Sequence, residues 1–443
     1  MPSRSRRSAR HRRPNLAGRM KRSRFVRQTA VTSVMRVTSA LTSMAAGIVV
    51  ARELGAAGRG TLSVLVALGT VAVLFGSFGI HYSGIYFLGR LPDEIDRILS
   101  NMVVVSAVGG LLTAGVLTAC VVGAHGVFLG AISFRLFLLF IAVVPCSYFN
   151  EFAQRALMGL GRTTAYVVPD LFEGPVLLTG TVASIVVFGP RLVPLVLLRV
   201  VVEVSQAVFL GAYLMHVRRF RFLPSFALLR RQVAYGLRNY AGSLLWLFLL
   251  RSDLVLCNHF LGRAKTGVYS VSASLVMPLN LLVATMSVLL FQRTSSEASR
   301  EARIANTNRL VRMVVPLVVA TAAVLAVVSH PLVRLLYGSA YSAAAPALVW
   351  LIPGVALVTI ETLLASFLAG EGSPLVLVWA PLAGLVVNLG ANLYAIPHFG
   401  IDGAAVTSTI GYALVFVVVT VYYCVSTGTS PRRLLVLKRA DLR

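Results

Sequence analysis

The sequence predicts an all-α integral membrane protein of about twelve transmembrane helices, and three observations carry that prediction. Of its 443 residues 57% are hydrophobic and only 13% charged, with a mean hydropathy of +0.82. Ordinary soluble domains hold about 45–50% apolar and about 25% charged residues. The apolar residues are gathered into long runs, enough for roughly twelve crossings at about 20 residues each. The 41 Lys and Arg against 15 Asp and Glu leave a net charge of +26, and the basic residues fall on alternate connections. Strand-like alternation is absent, which excludes a β-barrel.

In chain order, residues 1–28 hold eleven Lys and Arg and no acidic residue. This basic tail reads as a cytoplasmic topology signal that meets anionic lipid rather than as a nucleic-acid arm. It lacks the apolar core and small-residue cleavage site of a signal peptide. Spans are predicted at 29–51, 61–88, 100–122, 133–157, 165–189 and 192–215, forming an N-terminal lobe over 29–215. After a cytoplasmic linker at 216–235 come spans at 236–260, 267–291, 310–336, 344–369, 374–396 and 403–425. These form a C-terminal lobe over 236–425, followed by a basic tail at 426–443. Prolines within the spans (Pro145, Pro169, Pro175, Pro278, Pro316, Pro353 and Pro381) predict kinks.

Charge fixes the expected orientation. With both termini cytoplasmic, 31 of the 41 basic residues lie on or beside the inner face and seven lie in the outer connections, as positive-inside topology requires. Arg36, Arg199 and Arg251 remain within spans. The protein is therefore expected in the cell (inner or plasma) membrane.

The halves echo each other. Leu54-Gly55-Ala56-Ala57-Gly58-Arg59-Gly60 and its continuation to Val64 align with Leu261 to Val271 at an offset of 207 residues. Gly159-Leu160-Gly161 aligns with Gly370-Glu371-Gly372 at an offset of 211. Near-equal offsets point to duplication of a six-helix unit, which predicts parallel repeats about an axis along the membrane normal.

Catalytic and nucleotide motifs are missing. No GxxxxGK[ST], HExxH or GxSxG run occurs, and the connections are too short for a catalytic domain, so an enzyme such as a glycan polymerase or ligase is disfavoured. Cys120, Cys146, Cys257 and Cys424 lie in apolar runs without a CxxC pair, giving neither a disulfide framework nor a metal site.

The ionisable residues inside spans are the candidates for function because each is expensive there. Glu151 with Arg155, and Arg199 with Glu203, have i,i+4 spacing and can neutralise each other on one helix face. Arg36 and Arg251 lack such a partner; each calls for a carboxylate on another helix or for an anion, which a guanidinium grips through paired donors. Asp253, Glu151, Asp170, Glu173 and Glu361 are candidates for coupling or charge relay, or are counter-charges for the arginines. No cofactor is expected beyond a coupling sodium ion or proton. His81 can line a sugar path or anchor at the interface, and Trp246 can stack on a sugar or pack against a helix.

Gly236-Leu237-Arg238-Asn239-Tyr240, Arg251-Ser252-Asp253, Leu261-Gly262 and Gly267-Val268-Tyr269-Ser270-Val271 resemble the middle of the lipid-linked oligosaccharide flippases. These are the polysaccharide-transporter branch of the multidrug/oligosaccharidyl-lipid/polysaccharide exporter superfamily, and the resemblance extends over spans 1–12. It implies two six-helix lobes around a central cavity, alternating access, and movement of a polyprenyl-diphosphate-linked oligosaccharide, a cell-surface polysaccharide precursor, from the inner to the outer leaflet. In such flippases cavity arginines attract the diphosphate and sugar acids; Arg36, Arg155 and Arg251 stand where this sequence can supply them. The related lipid II flippases carry two additional C-terminal helices, from which this sequence departs. Implied partners are the lipid-linked glycan, membrane lipids and other polysaccharide-assembly proteins, with no nucleic acid. The same fold also serves ion-coupled exporters of drugs and organic cations, whose cavities are expected to be acidic and aromatic.

Overall fold

The structure, a computed structural model, describes residues 16–77, 79–160, 162–218, 221–280, 283, 299–372 and 375–435. Among them nine helices are long and apolar enough to cross a membrane. Three of the nine are double-length: Val37–Gly76 has 40 residues, Tyr240–Asn280 has 41 and Val376–Thr427 has 52. At 1.5 Å per residue, 40 residues reach about 60 Å, twice the hydrocarbon thickness. Each is interrupted near its middle by one glycine with positive φ: Gly55, Gly262 and Gly400. Two of them visibly fold back on themselves, since Asp253 meets Tyr269 across Gly262 and Asn388 meets Ser408 across Gly400. Counted as passes, the nine helices make the twelve that composition predicts.

The chain order is α1 (Leu16–Gly76), α2 (Ile80–Arg90), α3 (Ile95–Val104), α4 (Gly110–Gly123), α5 (His125–Phe128), α6 (Phe134–Ile141) and α7 (Val144–Gly159). Then follow α8 (Thr163–Phe188), α9 (Leu192–Arg218), α10 (Phe226–Val276), α11 (Arg300–Tyr337), α12 (Ala344–Gly370), α13 (Val376–Thr427) and α14 (Pro431–Leu435). A π-turn at Val105–Gly109 joins α3 to α4, and the helix break before Pro145 separates α6 from α7. By contrast Pro169, Pro175, Pro316, Pro353 and Pro381 stay inside continuous helices. The segment predicted as a linker is helical from Phe226, and Leu228 is buried in the N-terminal core.

All six connections expected on the outer side contain a glycine with positive φ: Gly55, Gly130, Gly189, Gly262, Gly338 and Gly400. A tight reversal between antiparallel helices places one residue in the left-handed region, where only glycine is free of strain. One buried cluster gathers residues from Val64 to Leu228, and another gathers Leu249 to Leu434 together with Ala51. A third joins Ala67 to Leu254, Tyr269, Leu351 and Ala405 and spans the seam between the halves.

The seam is built on the repeated turn. A Cβ on Gly60 would sit 1.9 Å from the Arg263 carbonyl oxygen, and a Cβ on Gly267 would sit 1.9 Å from that of Ala56. These pairs are related by the same 207-residue offset, Gly60 to Gly267 and Ala56 to Arg263. The contact is thus reciprocal, as a pseudo-two-fold axis passing between the two turns demands. Around it, Arg52 donates through Nε to the Leu336 carbonyl at 2.7 Å and through Nη2 to that of Leu335, capping α11. Tyr341 donates to the Ala51 carbonyl at 2.9 Å. Arg59 reaches Ser270 at 3.3 Å and Ser274 at 2.9 Å. On the opposite side Glu371 receives Arg300 at 3.0 Å and Arg303 at 2.5 Å. Burial alone would raise the Glu371 carboxyl, but the hydrogen bonds and charges of the two arginines outweigh it and hold it below the ordinary carboxylate range.

Gly60→Ala should therefore cost about 1–3 kcal/mol of stability, because neither backbone can recede without opening the seam. Gly115→Ala, whose added Cβ meets nothing within 4 Å, should cost none. Thermal unfolding of both variants in detergent checks this; equal melting would show that the crossing tolerates a methyl group.

Candidate functional site

Charged groups inside hydrocarbon must be paired or face a wet cavity, and in the N-terminal lobe they do both. A polar cavity of about 460 Å³ opens between the second half of α1, α6, α7, α8 and α9, with Leu247 of α10 on its rim. Its lining residues fall near the middle of their spans: Thr70 and Val73 on α1, Ser147 to Gln154 on α7, Glu173 on α8, and Arg199, Glu203 and Gln206 on α9.

The ion pairs differ from the helical spacing in one respect. Arg155 pairs with Glu151 on the same helix, Nη2 to Oε1 at 2.8 Å, as the i,i+4 spacing predicts. Arg199, however, turns away from Glu203 and pairs across helices with Glu173, Nη1 to Oε1 at 2.8 Å. Glu203 instead accepts from Ser147 Oγ and Asn150 Nδ2, both at 3.0 Å. The physical reason is the short α8–α9 connection, which sets two antiparallel helices side by side and gives Arg199 a partner that does not require bending along its own helix. Among the described residues Glu203 makes no ion pair.

Asn150 is 4% exposed, and its Nδ2 also donates to the Glu203 carbonyl at 3.0 Å. Its Oδ1 is buried without a hydrogen-bond partner among the described residues. The side chain is held in that orientation, since flipping the amide would set Oδ1 against the Glu203 carboxylate. Gln154 and Gln206 line the same cavity. Sequence inspection singled out none of these amides, because neutral polar residues carry no charge signal; their period on the same faces as Glu151 and Glu203 was the available clue.

Arg251 lies four residues beyond Leu247 on α10, so it shares the helix face that rims the cavity. Its Nε is buried without a partner among the described residues. Asp253 points elsewhere. It is 3% exposed and accepts from Tyr269 Oη at 2.5 Å, the Leu254 amide at 2.7 Å and Ser408 Oγ at 3.3 Å. Ser408 in turn receives Asn388, which receives Asn392, which receives Thr407, all buried in the C-terminal lobe. Glu361 is 7% exposed and has neither hydrogen bond nor ion pair among the described residues.

Trp246 packs on the C-terminal core, its ring 6.1 Å from that of Tyr412. The side chains of Arg36, His81 and Asp170 lie outside the described residues. The structure thus gathers Glu151, Glu173 and Arg199 at one cavity, with Arg155 bound to Glu151, sets Arg251 one turn beyond the lining residue Leu247 on α10, and places Asp253, Glu361 and Trp246 in the other lobe. No cluster of three or more His, Cys, Asp and Glu that could hold a metal occurs among the described residues, and the four cysteines are free thiols.

Residues 25–291 match the family model described as polysaccharide biosynthesis protein. An uncharacterized membrane protein of Methanocaldococcus jannaschii is 26% identical over 197 residues, which are 43% of this chain and 38% of that protein. The matched stretch thus spans well under half of that relative. The fold is similar to that of lipid II flippase MurJ in an inward closed conformation, with a TM-score of 0.75 and 12% identity over 91% of this chain and 88% of MurJ. It is similar too to an inward-facing multidrug resistance MATE family transporter of the MOP superfamily, at a TM-score of 0.70 and 14% identity over 89% and 98% of the two chains.

A double-mutant cycle between Arg199 and Glu173, read by thermal unfolding in detergent, should return a coupling of about 1–2 kcal/mol for this partly shielded pair. The Arg199–Glu203 cycle should return a smaller coupling, since no hydrogen bond joins that pair. A reversed order would restore the pairing along one helix.

Proposed function

Since this chain belongs to the polysaccharide biosynthesis protein family, we infer that it flips a polyprenyl-diphosphate-linked oligosaccharide from the inner to the outer leaflet by alternating access. It is a multi-pass membrane transporter of the MOP superfamily; the lipid-linked substrate and the direction are the inference. The observation that carries it is the cavity lined by polar residues, large enough for sugar rings, whose lining residue Leu247 stands one helical turn before Arg251, a guanidinium with an unpartnered Nε. With both termini cytoplasmic, the Gly60–Gly267 crossing and the Arg52 and Arg59 contacts close the outer side. The likeness to two transporters in inward states supports that assignment.

Arg251 is placed to take the diphosphate beside the cavity, because a guanidinium offers paired donors to phosphate oxygens. Arg36 stands in the same role on span 1. The lipid tail stays in the bilayer while the headgroup crosses between lobes. Coupling falls to the C-terminal lobe. Asp253 and the chain Ser408, Asn388, Asn392 and Thr407 offer one carboxylate among neutral oxygens, a donor set suited to a hard monovalent cation or a proton. Glu361 is the second candidate there. The cavity meets one of the two features expected of an organic-cation exporter, an acid in excess, and lacks the other, since Phe140 is the one aromatic side chain among its described residues.

Deletion of the gene should leave lipid-linked oligosaccharide on the inner leaflet and abolish the surface glycan. Re-expression of Arg251→Ala should restore no more than about a tenth of it at unchanged membrane abundance, the loss expected for one charge-assisted contact. Intact surface glycan in the deletion strain would sink the flippase assignment, whereas full rescue by Arg251→Ala would remove only that guanidinium from the site.

A further inference from the structure

The charge balance of the N-terminal cavity bears on which sugars it admits. Its wall carries Glu151, Glu173 and Glu203 against Arg199. Arg199 is engaged by Glu173, and Arg155 closes on Glu151 at 2.8 Å. Counting both guanidiniums, one carboxyl group remains in excess, and it is Glu203, whose hydrogen bonds come from the neutral donors Ser147 and Asn150. A second carboxylate brought beside that unpaired acid is disfavoured, because two neighbouring carboxyl groups cannot both ionise without cost.

The free valences point the same way. Asn150 Oδ1 is an acceptor, buried and unpartnered, and Glu203 Oε2 already accepts from Ser147 and Asn150. Gln154 and Gln206 add amides that can both donate and accept, and neither has a hydrogen bond among the described residues. Groups that donate hydrogen bonds and carry no negative charge satisfy this set: the hydroxyls of a pyranose and the N–H of an acetamido substituent. Phe140, Val143 and Leu74 form an apolar wall for the C–H face of such a ring.

We propose that the N-terminal cavity is a sugar-recognition site that accepts neutral hexoses and N-acetylhexosamines next to the lipid diphosphate and rejects uronic acids, with Glu203 and Asn150 as its specificity-determining pair. The proposal rests on the flippase assignment and deepens it by separating two roles: a neutral sugar is read in the N-terminal lobe, and the diphosphate is held beside Arg251. Acidic selectivity thereby lies in the wall itself, independent of the arginines that hold the anionic linker.

The test uses the full chain in nanodiscs and three probes: a polyprenyl diphosphate bearing N-acetylglucosamine, one bearing glucuronic acid, and the sugar-free polyprenyl diphosphate. The N-acetylglucosaminyl probe should bind at least tenfold more tightly than the glucuronosyl probe. Glu203→Gln should bring that ratio within threefold of unity without changing affinity for the sugar-free lipid. Gln206→Ala, which breaks no hydrogen bond among the described residues, should weaken the N-acetylglucosaminyl probe alone, so the site stays testable if Glu203→Gln fails to fold. Equal or tighter binding of the glucuronosyl probe by the unaltered protein overturns the sugar assignment and leaves the flippase reading standing. Absence of saturable binding by all three probes overturns the flippase reading itself.

Discussion

Everything else in the molecule is arranged around the place where two glycines allow two helix turns to touch backbone to backbone. Without a hydrophobic driving force between helices in lipid, association depends on close approach, and small residues supply it. At Gly60 and Gly267 the added Cβ would fall 1.9 Å from a carbonyl oxygen on the other half, far inside van der Waals contact. Because the contact is reciprocal, it places the pseudo-two-fold axis between the turns and sets α1 against α10. The cavity behind it follows: α1 supplies Thr70 and Val73, and α10 supplies Leu247, one turn before Arg251.

The two lobes share an ancestry in sequence but have separated in chemistry. At the 207-residue offset Asp253 and Tyr269 correspond to Ala46 and Leu62, so the bonded pair of the C-terminal lobe has no polar counterpart in the N-terminal one. At the 211-residue offset Asn150 corresponds to Glu361, Glu151 to Thr362 and Gln154 to Ala365. The amide that leans on Glu203 in one half is thus a lone carboxylate in the other, its surroundings apolar. Charges cluster where a cavity can hydrate them, and the compact lobe keeps isolated polar groups that are bonded or buried singly.

Much of the fold was legible because bilayer physics writes it in composition and charge. Run lengths and the Lys and Arg asymmetry yield twelve crossings, and the repeated LGxxxxG turn marks the seam even though its reciprocal contact is a matter of three-dimensional approach. The site was legible only in its charges. Glu151 with Arg155 follows helix periodicity and forms as spaced, whereas Arg199 chooses Glu173 because a neighbouring helix offers a nearer partner than its own next turn. Arg52 and Arg59, counted as topology signals by their place in a connection, turn inward to cap α11 and to meet Ser270 and Ser274. Asn150, Gln154 and Gln206 leave no mark in hydropathy at all.

That last omission explains why arginine counting leads toward an acidic cargo. A guanidinium inside a span is conspicuous and suggests an anion, but its effect on a ligand depends on what already answers it. Arg155 and Arg199 are each answered by a carboxylate 2.8 Å away, so their long-range field is largely cancelled and what a ligand meets is the remainder. In this cavity the remainder is Glu203. Arg251 lies outside that carboxylate cluster and leaves its Nε donor unbonded among the described residues. One substrate can then be both anionic and neutral along its length, with charge at the linker and none at the first sugar, and the protein's own polarity is divided in the same order.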